Sequence, residues 1–101
     1  MPATFCIAYP KGSDFNMDYY MSTHMPLVYS KLSPLGLKGW NVLKFPDDAD
    51  FMVQATLIWE SMEDFQKAGG DPVMGEVMED VKNFSDKQPT FLPGSVVGTS
   101  S

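Results

Sequence analysis

The sequence predicts an α+β fold of ferredoxin-like βαββαβ topology, with a four-stranded antiparallel sheet and both helical parts on one of its faces. Three observations carry that expectation. Strand-favouring runs and helix-period runs alternate in this order, with the second helical part split in two. Gly, Pro and Asp punctuate the boundaries between them. The chain has 101 residues, 44% of them hydrophobic, so it is one domain with a real core.

Residues 4–9 favour β structure and stop at Pro10 and the turn Lys11-Gly12-Ser13, which gives a first strand. Asn16 is placed to cap a helix, and Asp18 suits the positive end of its dipole. At helical spacing Met17, Tyr20, Met21, His24 and Val28 share one face, with Asp18 and Ser22 on the other. Pro26 lacks an N–H and would clash with the carbonyl of Ser22. A kink or restart is expected there, with Met25 biased away from helical backbone. The helix ends before Ser33-Pro34.

Residues 37–45 alternate Trp40, Val42 and Lys44 against Asn41 and Leu43, a second strand followed by an acidic turn. Residues 51–59, rich in β-branched and aromatic side chains, form the third. Ser61 and Asp64 have capping-box spacing for a helix that Ala68-Gly69-Gly70 stops. Asp71 caps the next helix and Pro72 takes its first position, with Val73, Met74, Val77, Met78, Val81 and Phe84 on one face. Residues 88–97 form a last strand interrupted by Pro93-Gly94, which places it at an edge or a bulge. The domain covers residues 1–98, and 99–101 are a flexible tail.

A net charge of −6 with seven lysines and no arginine argues against nucleic acid, and against phosphate or polycarboxylate ligands that need a bidentate clamp. A neutral or phenolic small molecule suits the chain better. No stretch is apolar over the roughly 18 residues that span a bilayer, and no basic leader precedes an apolar segment. Cys6 stands alone, which makes a reduced, cytoplasmic setting the expectation. A sheet covered on one side only leaves an apolar face, which a second copy buries most economically, so a homodimer is expected.

His24 is the only histidine, and its ordinary pKa suits it to proton transfer near neutral pH. Its inward position is equally that of a core histidine held by one hydrogen bond. As a base it would take a proton α to a carbonyl, with Tyr20, one turn earlier, or Tyr9, at the end of the first strand, donating to the enolate oxygen. Trp40, Asn41, Phe65, Phe84 and Phe91 are the candidate substrate contacts. Eight methionines can supply an adaptable pocket wall or ordinary packing. Glu63, Asp64, Glu76, Glu79 and Asp80 read as solvated helix faces. One histidine is too few for a catalytic zinc or non-haem iron site; haem needs one axial ligand, but no arginine is present for its propionates. No Gly-rich fingerprint follows a strand. No metal and no cofactor is therefore expected.

The segments Tyr9-Pro10, Met17-Asp18-Tyr19-Tyr20 through His24-Met25-Pro26-Leu27-Val28, Pro34-Leu35-Gly36-Leu37-Lys38-Gly39 and Asp80-Val81-Lys82-Asn83-Phe84-Ser85-Asp86 resemble the EthD family, named for ethyl tert-butyl ether degradation. That family lies within the dimeric α+β barrel superfamily. The block from the paired tyrosines to His24-Met25-Pro26-Leu27 is the most specific. The resemblance implies a homodimer with its sheets face to face and a pocket between sheet and helices in each subunit. It also implies cofactor-free chemistry on small carbonyl or phenolic compounds: a lyase or cyclase of dehydratase or decarboxylase type acting on a polyketide-like compound. The alternatives are an anthrone-type monooxygenase and a non-catalytic dimer that binds an apolar ligand.

Overall fold

The computed structural model describes residues 2–100; Met1 and Ser101, which begin the expected domain and end the expected tail, lie outside the described residues. The strands are β1 (Ala3–Pro10), β2 (Leu37–Lys44), β3 (Phe51–Trp59) and β4 (Thr90–Ser95). They form one antiparallel sheet in the order β2-β3-β1-β4, as the ferredoxin-like topology requires. β1 and β3 pair from Ala3 opposite Trp59 to Pro10 opposite Phe51, with a register shift between Tyr9 and Pro10.

The period of two decides the core. Ala3, Phe5 and Tyr9 of β1 and Val53, Ala55, Leu57 and Trp59 of β3 are buried beneath the helices. The alternate residues point to the opposite face, where Leu43, Ile58 and Leu92 stay 46%, 39% and 52% exposed. β4 runs unbroken through Pro93 and Gly94, which pair with Phe5 and Thr4, so the expected interruption does not occur. As an edge strand, β4 can leave the proline's missing N–H on its unpaired side.

The first helical part has three pieces: α1 (Met17–Tyr19), a π-helical turn (Tyr20–His24) and α2 (Met25–Leu32). Asn16 caps α1, its Oδ1 accepting from the Tyr19 N–H at 3.0 Å. The break expected at Pro26 is this π turn, one turn earlier, in which the Met25 N–H donates to the Tyr20 carbonyl five residues back. Pro26 then sits in the opening turn of α2, where its missing N–H has no helical partner to lose. Met25 therefore keeps a helical backbone (φ −65°, ψ −40°) and does not depart from it as expected. The turn also moves Met21 off the inward stripe, to 39% exposure, while Tyr20, His24, Met25, Val28 and Leu32 are buried.

A 3-10 turn (Ser33–Leu35) leads to Gly36, whose φ of +115° is unfavourable for any residue with a Cβ. A Cβ there would lie 2.8 Å from the Cβ of Asp64. Gly36→Ala is therefore expected to destabilise the chain by about 1–3 kcal/mol, read as a lowered urea midpoint. α3 (Met62–Gly69) is capped by Ser61, whose Oγ accepts from the Asp64 N–H at 3.1 Å. α4 (Pro72–Glu79) is capped by Asp71, whose Oδ1 accepts from the Val73 N–H at 2.9 Å, and continues into a 3-10 turn (Asp80–Asn83). α4 packs on α2, which brings that last turn beside His24. No helix among the described residues is long and apolar enough to cross a membrane.

Candidate active site

Between the inner face of β1 and β4 and the helices α2 and α4 lies a cleft lined by apolar side chains together with Tyr9, Tyr20 and His24. It encloses about 450 Å³ of empty space, part of it open to solvent. In this conformation its interior admits little more than water, and the flexible Met74 and Met78 are among the side chains of its wall.

His24 is 4% exposed, and its ring lies stacked on that of Tyr20, centroids 5.4 Å apart and 14° from parallel. Phe84 tilts against the same imidazole at 4.5 Å. Nδ1 lies 2.9 Å from Asp80 Oδ2, and these two side chains are only 6% and 12% exposed. Asp80 is held in turn by the Tyr19 hydroxyl, which donates to Oδ1 at 2.6 Å, and by the Asn83 amide, which donates to the same oxygen at 2.8 Å. An ionised carboxylate accepts only, so Nδ1 carries the proton and neutral His24 has its lone pair on Nε2. Nε2 has no hydrogen-bond partner among the described residues.

Burial disfavours the imidazolium and lowers the His24 pKa from its ordinary 6.5, an effect that the Asp80 hydrogen bond and charge offset only in part. Burial alone would raise Asp80. The hydrogen bonds from Tyr19, Asn83 and His24 outweigh it and hold the carboxyl below its ordinary value. Burial also pushes Tyr9 and Tyr20 well above the ordinary phenol range, with Tyr20 adding to the effect on Tyr9. Both phenols are thus protonated donors at neutral pH, and neither hydroxyl has a hydrogen-bond partner among the described residues.

These shifts set the response to acid. The unfolded chain takes a proton at His24 near pH 6.5 and the folded chain only at lower pH, so stability falls as pH drops below about 6.5 and levels off beneath the folded value. Asp80, with its depressed pKa, adds stability that is lost only below about pH 4. The urea midpoint should fall between about pH 7 and pH 5, and His24→Gln should remove that slope.

The structure brings Tyr9, Tyr20 and His24 together, with the Tyr9 and Tyr20 rings 6.0 Å apart and edge-on. Phe84 backs the imidazole, and Phe91, 40% exposed, stands at the cleft's open side. The other expected substrate contacts lie elsewhere. Phe65 packs between Phe5 and Trp59, at 4.7 and 5.7 Å, and faces a neighbouring groove. Trp40 and Asn41 do not line the cleft, because β2 is the edge strand farthest from β4. The period of two also turns Asn41 to the opposite face, beside Thr56. Asp80, expected on a solvated helix face, is the partner of His24: it opens the 3-10 turn after α4, three residues after the buried Val77 and four before the buried Phe84, at the edge of the packed face. No group of three or more His, Cys, Asp or Glu is placed to hold a metal ion among the described residues.

Residues 12–88 match the EthD domain family. No curated protein matches the chain. An EthD-like protein from Ralstonia eutropha JMP134 is 26% identical, with a TM-score of 0.82 over 99% of this chain and 96% of that one. An EthD family protein from Bacillus halodurans C-125 is 19% identical, with a TM-score of 0.75 over 96% and 100%. SnoaB, a cofactor-independent oxygenase from Streptomyces nogalater, shares the fold at 13% identity, with a TM-score of 0.74 over 98% and 96%. With residues 12–88 inside the domain and the βαββαβ sheet in place, the chain belongs to the EthD family of the dimeric α+β barrel superfamily.

Proposed function

We propose that the protein is a cofactor-independent enzyme of small-molecule metabolism, a lyase or cyclase of dehydratase or decarboxylase type that acts on a carbonyl or phenolic polyketide-like compound. The observation that supports this reading is the Asp80–His24 pair, which leaves a bare Nε2 on a neutral imidazole that lines an apolar cleft beside two protonated phenols. Nε2 takes a proton from the carbon next to the carbonyl, and Asp80 stabilises the imidazolium that forms. The Tyr9 or Tyr20 hydroxyl donates to the enolate oxygen. In a dehydration the enolate then expels a β-hydroxyl, which leaves as water with the proton from Nε2. In a ring closure the enolate carbon attacks a second carbonyl of the same molecule, whose π pair moves to its oxygen, and that alkoxide takes the proton from Nε2.

The test is deuterium exchange from heavy water into the α-carbon of β-tetralone, followed by NMR, with oxygen uptake measured alongside. Protein-dependent exchange without oxygen uptake supports the lyase or cyclase. The fold shared with SnoaB favours a second reading, in which the same carbanion meets oxygen directly; oxygen consumption would select it. A ligand that binds and neither exchanges nor consumes oxygen would leave a non-catalytic binding protein.

Leu43, Ile58 and Leu92 on the open sheet face fit a homodimer. Sedimentation at the mass of one 11.2 kDa chain would refute it. Cys6, free of any disulfide, fits a cytoplasmic setting.

A further inference from the structure

We propose that the ligand held at His24 extends out of the cleft into an adjoining apolar groove, where Phe65, Met78 and Gly69 select carbonyl compounds bearing an apolar extension. This rests on the reading of the His24 cleft as the substrate site. The groove is lined by Phe5, Phe65, Gly69, Met74, Met78 and Phe91. Phe5, Met74, Met78 and Phe91 also line the cleft, so the two spaces share a wall.

Met74 and Met78 lie one helical turn apart on α4, and as unbranched thioethers they are the parts of that wall that move most easily. Their displacement would make room for a ligand larger than water and open the cleft toward the groove. Beyond them the floor is aromatic. Phe5 stacks on Phe91 at 5.6 Å and meets Phe65 at 4.7 Å. No polar side chain among the described residues lines the groove, so a hydrogen-bonding substituent there would lose its water without replacement. An alkyl or aryl extension would gain burial instead.

Gly69, the last residue of α3, offers a clean probe. Gly69 lines the groove and a Cβ built there meets nothing within 4 Å, so a side chain can be added at the groove's wall without a clash at its first carbon. The experiment compares dissociation constants for acetophenone and para-butylacetophenone, read from the methyl signals of Met74 and Met78 and the ring signals of His24. The wild-type protein should favour the butyl compound by about tenfold or more. Gly69→Phe should reduce that ratio to about twofold or less, and Gly69→Leu should give an intermediate value. Gly69→Leu carries the test if the phenylalanine variant does not fold. A wild-type ratio near one, or a tenfold ratio that persists in both variants, would overturn the proposal. So would discrimination that leaves the His24 signals unmoved, since the groove would then be separate from the cleft. Exchange into β-tetralone reports the chemistry and the affinity ratio reports the groove, so each can fail alone.

Discussion

His24→Ala is expected to lower protein-dependent exchange and turnover by about 10²- to 10⁴-fold, the range that a positioned acid–base group contributes. No other side chain can take over. His24 is the only histidine, Asp80 is below its ordinary carboxylate value and points away through Nδ1, and Tyr9 and Tyr20 are held in their protonated forms. Removing a ring that is 4% exposed, stacked on Tyr20 and tilted against Phe84 also leaves a cavity, at a cost of about 1–3 kcal/mol. His24→Gln keeps more bulk and can still donate to Asp80. It should lose activity as fully as the alanine variant with a smaller drop in melting temperature. Retained activity in a folded His24→Gln protein would show that the proton goes elsewhere.

Asp80→Asn is expected to be nearly as damaging, by a different route. Oδ1 of Asp80 accepts from both the Tyr19 hydroxyl and the Asn83 amide, so in the variant the amide oxygen must take that place. The new NH₂ group then faces His24 Nδ1, where it can only donate. Nδ1 becomes the acceptor, the ring proton moves to Nε2, and the base loses its lone pair toward the cleft. The developing imidazolium loses its counter-charge as well. Turnover should fall by about 10²- to 10⁴-fold, with most of the loss in kcat and little in KM. Asp80 is a positioning residue, so its replacement should also move the nitrogen signals of His24, which a purely structural role would leave in place. An unchanged His24 tautomer in Asp80→Asn would contradict this account.

The strands and caps were legible because each is a local matter. The alternation of residues 51–59 and the caps at Asn16, Ser61 and Asp71 fix their elements with little help from the rest of the chain. Tyr9, Tyr20 and His24 converge because the inward stripe and the end of β1 meet in any fold of this topology. Asp80 was not legible by periodicity. It lies three residues after Val77 and four before Phe84, at the border between the apolar stripe and the charged residues, and spacing along this segment does not show that His24 faces it. A signal was present nevertheless, since Asp80 and Asn83 lie in a segment that resembles the family. The Tyr19 hydroxyl, which donates to Asp80, is likewise not marked by any local pattern. Both contacts join elements about 60 residues apart, with separations of 56 for His24 and 61 for Tyr19, which spacing along one element cannot show. Asn41 failed for the opposite reason, because strand alternation alone turns it away from the cleft.

The central claim is that burial keeps His24 neutral while Asp80 fixes its proton on Nδ1, which leaves a bare Nε2 in a ligand-binding cleft. Nitrogen and proton NMR of the His24 ring tests it directly, because the spectrum contains one histidine and needs no assignment. The account predicts a proton on Nδ1 at neutral pH, an apparent pKa below the ordinary 6.5, and a further displacement when β-tetralone is added. A proton on Nε2, or an ordinary titration that β-tetralone leaves unmoved, would contradict it and leave His24 a packing residue.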